Sequence, residues 1–220
     1  MHESLGVPLS CAGFITFIIA TGTIISSLMS DRLTTRFGPG RVTAASVALT
    51  AAALFGFSFS TQFWVLCLWA MPYGLGAGTV DAALNNYAAL HYTARHMNWL
   101  HGCWGLGASI SPFIMSQALS SGHGWPSAYR TVGTLQAILT AIVTVSLPLW
   151  NKTQKINGGG SARLFDHVPT RAALATPGVP AVLGTFFSYC AVESTSILWA
   201  ASYLVSVRGT DGATAAAFAS

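Results

Sequence analysis

Charge is what this sequence has least of. Of its 220 residues, 52% are hydrophobic and only 7% are Asp, Glu, Lys or Arg, whereas a soluble domain carries about a quarter of its residues as these four types. So few charges cannot cover a surface that faces water, which excludes an ordinary soluble domain. The net charge of +4 does not indicate nucleic acid as a partner, because the sequence has no basic cluster with interleaved aromatic residues.

The motifs of enzymes and metal sites are also missing. The four cysteines have no paired spacing, so neither a disulfide framework nor a zinc site is indicated. The glycines at 74–78 and 102–107 lie inside apolar runs without a following Lys-Ser or Lys-Thr, and we interpret them as packing residues between close helices. His101 has no histidine four residues away, and His91 and His96 are assigned to a loop. With no nucleophile–base pair either, we predict no catalytic activity, no cofactor and no metal.

What the sequence does contain is a series of long apolar runs. They cover residues 8–30, 42–60, 63–90, 98–121, 130–150 and 178–206. Each run has roughly 19–29 residues, enough for a helix that rises about 1.5 Å per residue to cross a hydrocarbon core about 30 Å thick. Residues 210–220 read as the start of a further helix. The sequence therefore predicts an all-α, multi-pass integral membrane protein whose main partner is the lipid bilayer.

The basic residues are distributed unequally between alternate loops. One set of loops contains Arg32, Arg36, Arg41, Arg95, Lys152, Lys155, Arg163 and Arg171, and the other set contains Arg130 and Arg208. Cytoplasmic loops are enriched in Lys and Arg, so the first set is predicted to face the cytoplasm. Residues 151–177 then form a cytoplasmic linker between two helical groups, 1–150 and 178–220.

The polar segment after the first apolar run resembles a known signature. Its notable residues are Asp31, Arg32, Arg36, Gly38 and Arg41. The segment is similar to G-x-L-A-D-R-x-G-R-R, the cytoplasmic loop between the second and third helices of the major facilitator superfamily, with extra residues before Gly38. Asp31 and Arg32 match it, whereas Ser27 and Met29 replace the usual Gly and Leu. The resemblance implies a loop with a conformational role, and charge alone implies a short basic loop.

Two further stretches, 74–112 and 186–208, resemble the fucose permease branch of that superfamily and its glucose-transporter-like relatives. The resemblance implies a twelve-helix carrier made of two six-helix halves, monomeric when complete, that works by alternating access. It identifies 1–150 with the second to sixth family helices and 178–220 with the seventh and the start of the eighth. The chain is therefore expected to be a fragment that lacks the first helix and everything after the start of the eighth.

Asp81 is the outstanding polar residue inside the predicted spans, because an acid is costly in hydrocarbon and usually serves a transport path. Removal from water favours the protonated form of a carboxyl, so this position suits proton exchange. Asn85 follows four residues later and is expected on the same helix face. The alternative is a structural aspartate paired with an Asn or Arg of another helix. The resemblance agrees with function, since fucose permease-like proteins carry an acid at the matching position that is implicated in sugar binding and proton coupling.

The remaining candidates are also spaced by about one helical turn. Asn98 precedes His101 by three residues, and Tyr189 precedes Glu193 by four. Amide, imidazole and phenol groups suit sugar hydroxyls, and aromatic rings suit the apolar faces of a pyranose. A histidine at the membrane interface is an equally weighted alternative for His101. In the resemblance, His101 occupies the position of a glutamine in the fucose permease.

These residues lead to a functional hypothesis. We expect a secondary transporter of the cell (inner) membrane that couples uptake of a sugar or similar small polyhydroxylated solute to protons, with sodium as an alternative ion. Asp81, Asn85, Asn98, His101, Tyr189 and Glu193 are the predicted substrate-binding and proton-coupling residues. The alternatives are a drug or metabolite exporter of the same superfamily and a truncated product that does not transport.

Overall fold

The computed structural model describes residues 5–8, 10–156 and 170–218. The regular elements in these ranges are helices, which we number in chain order. They are α1 (Cys11–Phe37), α2 (Pro39–Phe59), α3 (Phe63–His91), α4 (Ala94–Ser120), α5 (Gly124–Ile156), α6 (Thr170–Leu174), α7 (Val179–Arg208) and α8 (Gly212–Phe218). The predicted all-α class is confirmed, and the further helix expected after residue 210 begins at Gly212.

Five helices in the described part of the chain are long and apolar enough to cross a membrane: α1, α2, α3, α5 over Gly124–Trp150, and α7. The sequence predicts six. The run predicted at 98–121 forms α4, which has 27 residues and at about 1.5 Å per residue is long enough to span, but it is not among the five. Polar side chains, including Arg95, Asn98, His101 and Gln117, interrupt its apolar sequence.

The connection between α1 and α2 is a single residue. α1 continues to Phe37 instead of ending near residue 30, and α2 begins at Pro39. Gly38 joins them with φ 85° and ψ 150°, a conformation open to glycine and strongly disfavoured for residues with a Cβ. Asp31, Arg32 and Arg36 therefore belong to a helix, so the expectation of a loop was wrong for most of the signature segment.

Close packing of α1 on α3 is made possible by glycine. A Cβ on Gly22 would lie 2.9 Å from the carbonyl oxygen of Met71, and a Cβ on Gly74 would lie 3.0 Å from the carbonyl carbon of Ile19. A Cβ on Gly78 would lie 2.5 Å from the Ser26 hydroxyl oxygen. Each distance is too short for a real side chain, so the two backbones are in direct contact. The packing role predicted for the glycines of this helix is confirmed.

Hydroxyl groups of α1 reinforce this contact. The hydroxyls of Ser27 and Ser30 donate to the backbone carbonyls of Gly78 and Thr79 at 3.1 and 3.3 Å. The Thr23 hydroxyl is shared between the Ile19 carbonyl of α1 at 3.0 Å and the Gly74 carbonyl of α3 at 3.3 Å. Hydrogen bonds between membrane helices contribute about 0.6 kcal/mol each on average. The α1–α3 seam is therefore held at three successive levels, which fixes the rotation of α3 just before Asp81.

The other face of α3 packs on α2. A Cβ on Gly76 would lie 2.8 Å from the carbonyl oxygen of Ser46. Farther along, α5 also contacts α2 through polar groups. Gln136 donates to the Thr50 hydroxyl at 2.9 Å, and Arg130 Nε donates to the Ser58 hydroxyl at 3.0 Å. The second pair lies beside a buried apolar cluster of Leu54, Phe57, Leu66 and Ala70, on which Trp125 and Tyr129 pack.

The chain divides into two compact units, with the division after Trp150. Residues 151–156 of the predicted linker extend α5, and Thr170–Leu174 form α6. The glycines at 158–160 and Arg163 lie outside the described residues. In the second unit, α8 begins with a cap in which Asp211 Oδ1 accepts the backbone N–H groups of Ala213 and Thr214, each at 3.0 Å.

Candidate functional site

Asp81 and Asn85 form a hydrogen-bonded pair on α3. The amide Nδ2 of Asn85 donates to Asp81 Oδ1 at 3.0 Å, so the predicted shared face is confirmed. Asp81 lies ten residues before the last residue of α3, His91, a distance of about 15 Å along the helix axis. That distance is half of a hydrocarbon core about 30 Å thick.

The two side chains of this pair differ in burial. Asp81 is exposed within its unit, because no described element covers that side of the residue. Asn85 is half-buried, and its Oδ1 atom is buried without a hydrogen-bond partner in the described structure. A buried acceptor without a partner costs about 1–3 kcal/mol. The hydrogen bond to Asp81 therefore orients the Asn85 amide, and the amide oxygen is left without a partner in the described structure.

A second acid–donor pair lies on α7. The hydroxyl of Tyr189 donates to Glu193 Oε1 at 2.9 Å, which confirms that the two residues share a face. Glu193 is half-buried and sits near the middle of α7, which runs over Val179–Arg208. Tyr189 is 56% exposed, so its ring is available to a neighbouring group.

The two candidates on α4, Asn98 and His101, differ in whether they line a groove. A groove of about 480 Å³ runs along this helix and is lined by Arg95, Asn98, Trp99, Gly102, Cys103 and Leu106. His101 is exposed, and it does not line that groove in the described structure. Within residues 10–150, no described hydrogen bond joins Asn98 or His101 to the Asp81–Asn85 pair. The structure thus brings two of the four first-unit candidates into contact.

The glycines of α4 also differ from those of α3. A Cβ on Gly102, Gly105 or Gly107 would meet no atom within 4 Å, so within the described residues their predicted role in close packing is not observed. The sequence patterns of the two helices are alike, and only the presence of a neighbouring helix distinguishes them.

The signature segment has one feature that sequence analysis did not anticipate. The guanidinium of Arg36 lies 5.3 Å from the centre of the Phe37 ring, a cation–π distance. Asp31, Arg32, Arg36 and Arg41 are all exposed. They occupy the end of α1 and the start of α2 around Gly38.

Sequence reasoning also missed an aromatic cluster at the end of α3 that is predicted to be cytoplasmic. His91 stacks on Tyr87 with ring centres 4.2 Å apart, and Tyr87 lies 5.3 Å from the Trp150 ring of α5. A Cβ on Gly40 of α2 would lie 3.1 Å from that Trp150 ring. His91 ends α3 and His96 lies within α4, so their assignment to a loop was wrong. The four-residue spacing of Tyr87 and His91 was the signal that could have revealed their contact.

The described residues contain no group of three His, Cys, Asp or Glu side chains that could hold a metal ion. The pKa of Asp211, which lies outside the membrane-spanning helices, is shifted by its cap contacts. The hydroxyl and backbone N–H of Thr214 bond to the carboxyl and hold the pKa of Asp211 below its ordinary value.

Comparison with known families gives one match. The model of the Major Facilitator Superfamily matches residues 1–220. No curated protein and no solved structure matches the chain.

Proposed function

The chain belongs to the Major Facilitator Superfamily, a family of secondary transporters for small-molecule solutes, and on this premise we propose that it serves proton-coupled symport of a sugar or similar polyhydroxylated solute. Its multi-pass helices place it in a membrane, and we propose the cell (inner) membrane. The two units correspond, in this proposal, to parts of the N-terminal and C-terminal halves of a carrier that works by alternating access.

The Asp81–Asn85 pair is the observation that carries the proposal. Asp81 lies about 15 Å from the end of α3, and its partner is the neutral amide of Asn85. Within the described residues, no Lys, Arg or His forms an ion pair with this carboxylate. An exposed acid at this depth is too costly to face lipid. It is therefore suited to a polar cavity, where it can exchange a proton.

A polyhydroxylated solute fits the other polar groups. Asn98 lies beside Trp99 along the α4 groove, and Tyr189 offers a ring beside the Glu193 carboxylate. Sugars combine hydroxyl groups with apolar C–H faces, so such mixed surfaces suit them. In the proposal, Asn98, His101, Tyr189 and Glu193 contribute to solute binding, and the signature residues around Gly38 support the conformational change.

The test is accumulation of radiolabelled monosaccharides by proteoliposomes that contain the complete product of the gene encoding this chain. We expect uptake against a gradient when the interior is alkaline, and its loss when the pH difference is collapsed. Asp81→Asn should abolish accumulation while leaving solute exchange at equal concentrations. Uptake that survives both changes would contradict proton coupling through Asp81, and accumulation that follows a sodium gradient would assign the ion to sodium.

A drug or metabolite exporter is the second candidate. The groove on α4 favours it, because Trp99, Cys103 and Leu106 give that groove an apolar lining. An exporter would extrude an apolar dye when the exterior is acidic and would not accumulate sugars. The same vesicles, loaded with dye, distinguish the two functions.

A further inference from the structure

Asp81 and Glu193, the two acids predicted to couple protons, have the same kind of partner. Asp81 accepts from the amide of Asn85, and Glu193 accepts from the hydroxyl of Tyr189. Each partner is one turn away on the acid's own helix, and each is a neutral group that can both donate and accept a hydrogen bond. Within the described residues, neither acid has a cationic partner.

We propose that Asn85 is a positioning residue that keeps Asp81 hydrogen-bonded in both of its protonation states, and that Tyr189 does the same for Glu193. This inference rests on the proposed function, since it concerns how the proton-binding group works. It assigns to the partners a role in proton exchange in addition to the contact with solute already proposed for Tyr189.

The chemistry of the carboxyl explains why a neutral partner is required. An ionised carboxylate only accepts hydrogen bonds, whereas a protonated carboxyl also donates one. A Lys or Arg has no acceptor and would therefore stabilise only the ionised form. The Asn85 amide offers Nδ2 to the ionised form and, after a half-turn about its last side-chain bond, offers Oδ1 to the O–H of the protonated form.

The orientation of Asn85 in the structure agrees with this mechanism. With Nδ2 toward Asp81, the Oδ1 atom is buried without a partner in the described structure. The half-turn gives that oxygen a donor, the newly protonated Asp81. The orphaned acceptor therefore belongs to the ionised state, and in the protonated state the Nδ2 group takes its buried position.

Placement on the same helix adds a second property. A bond between residues four apart in one helix spans a single turn, so it does not depend on where other helices lie. It persists while the halves of a transporter rearrange, whereas a bond between helices would break. The proton affinity of Asp81 is then controlled by access of water and solute, not by exchange of partners.

The experiment reads protonation directly. Infrared difference spectra of the reconstituted complete gene product, recorded over a pH series, show the carbonyl stretch of a protonated carboxyl. The band that disappears in Asp81→Asn belongs to Asp81. Asn85→Leu removes the partner of both protonation states. Because a hydrogen bond to a charged group is stronger than one between neutral groups, the ionised form loses more, and the proton concentration for half-protonation should fall about tenfold. Asn85→Gln should restore most of the wild-type behaviour, and Asn86→Leu, an exposed neighbour on another side of the helix, should change nothing.

Tyr189→Phe gives an independent test, because it removes only the hydroxyl. The band of Glu193 is assigned by its loss in Glu193→Gln. In Tyr189→Phe its half-protonation midpoint should shift in the same direction as that of Asp81 in Asn85→Leu. An unchanged midpoint in both Asn85→Leu and Tyr189→Phe overturns the inference, as does a carboxyl that never protonates. If Asn85→Leu does not fold, the Tyr189→Phe result decides. If the midpoints shift as expected but uptake ignores the pH gradient, the positioning role stands and proton-coupled symport fails.

Discussion

The α1–α3 seam gives a quantitative prediction through Gly74. Replacing Gly74 with Ala adds a methyl carbon 3.0 Å from the carbonyl carbon of Ile19 and 3.1 Å from its Cα, and closer still to its carbonyl oxygen. All three atoms are backbone, so no side-chain rotation can relieve the contact. The helices must separate, which also stretches the hydrogen bond from the Thr23 hydroxyl to the Gly74 carbonyl, now 3.3 Å.

The magnitude comes from opposing terms. Overpacking of a well-packed interior costs about 1–3 kcal/mol, and loss of an interhelical hydrogen bond adds about 0.6 kcal/mol. Alanine is favoured over glycine within a helix by about 1 kcal/mol. We therefore expect Gly74→Ala to lower the free energy of unfolding by about 0.6–2.6 kcal/mol.

Gly107→Ala is the matched control, because an added Cβ there meets nothing within 4 Å and only the gain in helix propensity of up to about 1 kcal/mol remains. Both variants are unfolded from mixed micelles with sodium dodecyl sulfate, and the loss of helix is followed by circular dichroism. If Gly74→Ala proves as stable as Gly107→Ala, the close contact between the α1 and α3 backbones is refuted.

Two further predictions concern the ends of the helices. Trp150→Ala should leave a void beside Gly40 and lower the free energy of unfolding by up to about 3 kcal/mol. The control Trp64→Ala, at a residue that is 71% exposed, should lower it far less. If both variants lose the same stability in detergent unfolding, the packing of Trp150 on Gly40 and Tyr87 is refuted. The second prediction concerns the cap of α8, where the pKa of Asp211 is lowered. The ionised carboxyl therefore stabilises the start of α8 fully above the pKa of an unfolded aspartate, about 3.9. This stabilisation is lost as the pH falls through the lower pKa of the folded state. Asp211→Ala should therefore speed amide hydrogen exchange at Thr214 at neutral pH and remove its acid dependence, and unchanged exchange would contradict the cap.

Contacts within one helix were largely predictable. The spacing of Asp81 and Asn85, and of Tyr189 and Glu193, places each pair on one face because residues four apart lie about one turn from each other. The structure confirms both hydrogen bonds. The exposure of Asp81 was not predictable, because burial depends on which helices cover its side of α3.

For contacts between helices, the sequence predicted that glycines would pack against neighbouring helices but not which glycines would do so. The glycines of α3 and α4 have similar patterns, yet Gly74 touches another backbone and Gly107 touches no neighbour in the described structure. The cluster that joins Gly40, Tyr87 and Trp150 draws on three helices far apart in the chain. No local pattern encodes such a meeting point, since it depends on how the helices cross and rotate.

By itself, the sequence determined that the chain is a helical membrane protein, because the scarcity of charge and the length of the apolar runs leave the bilayer as its solvent. It also determined the donor–acid pairs, because the helical repeat alone brings them together. Only the tertiary structure decided that α1 runs on to Phe37, that Gly74 and Gly78 face α1 while Gly76 faces α2, and that one oxygen of Asn85 is buried without a partner. These features arise from the crossing and rotation of neighbouring helices, which the periodicity of a single helix does not specify.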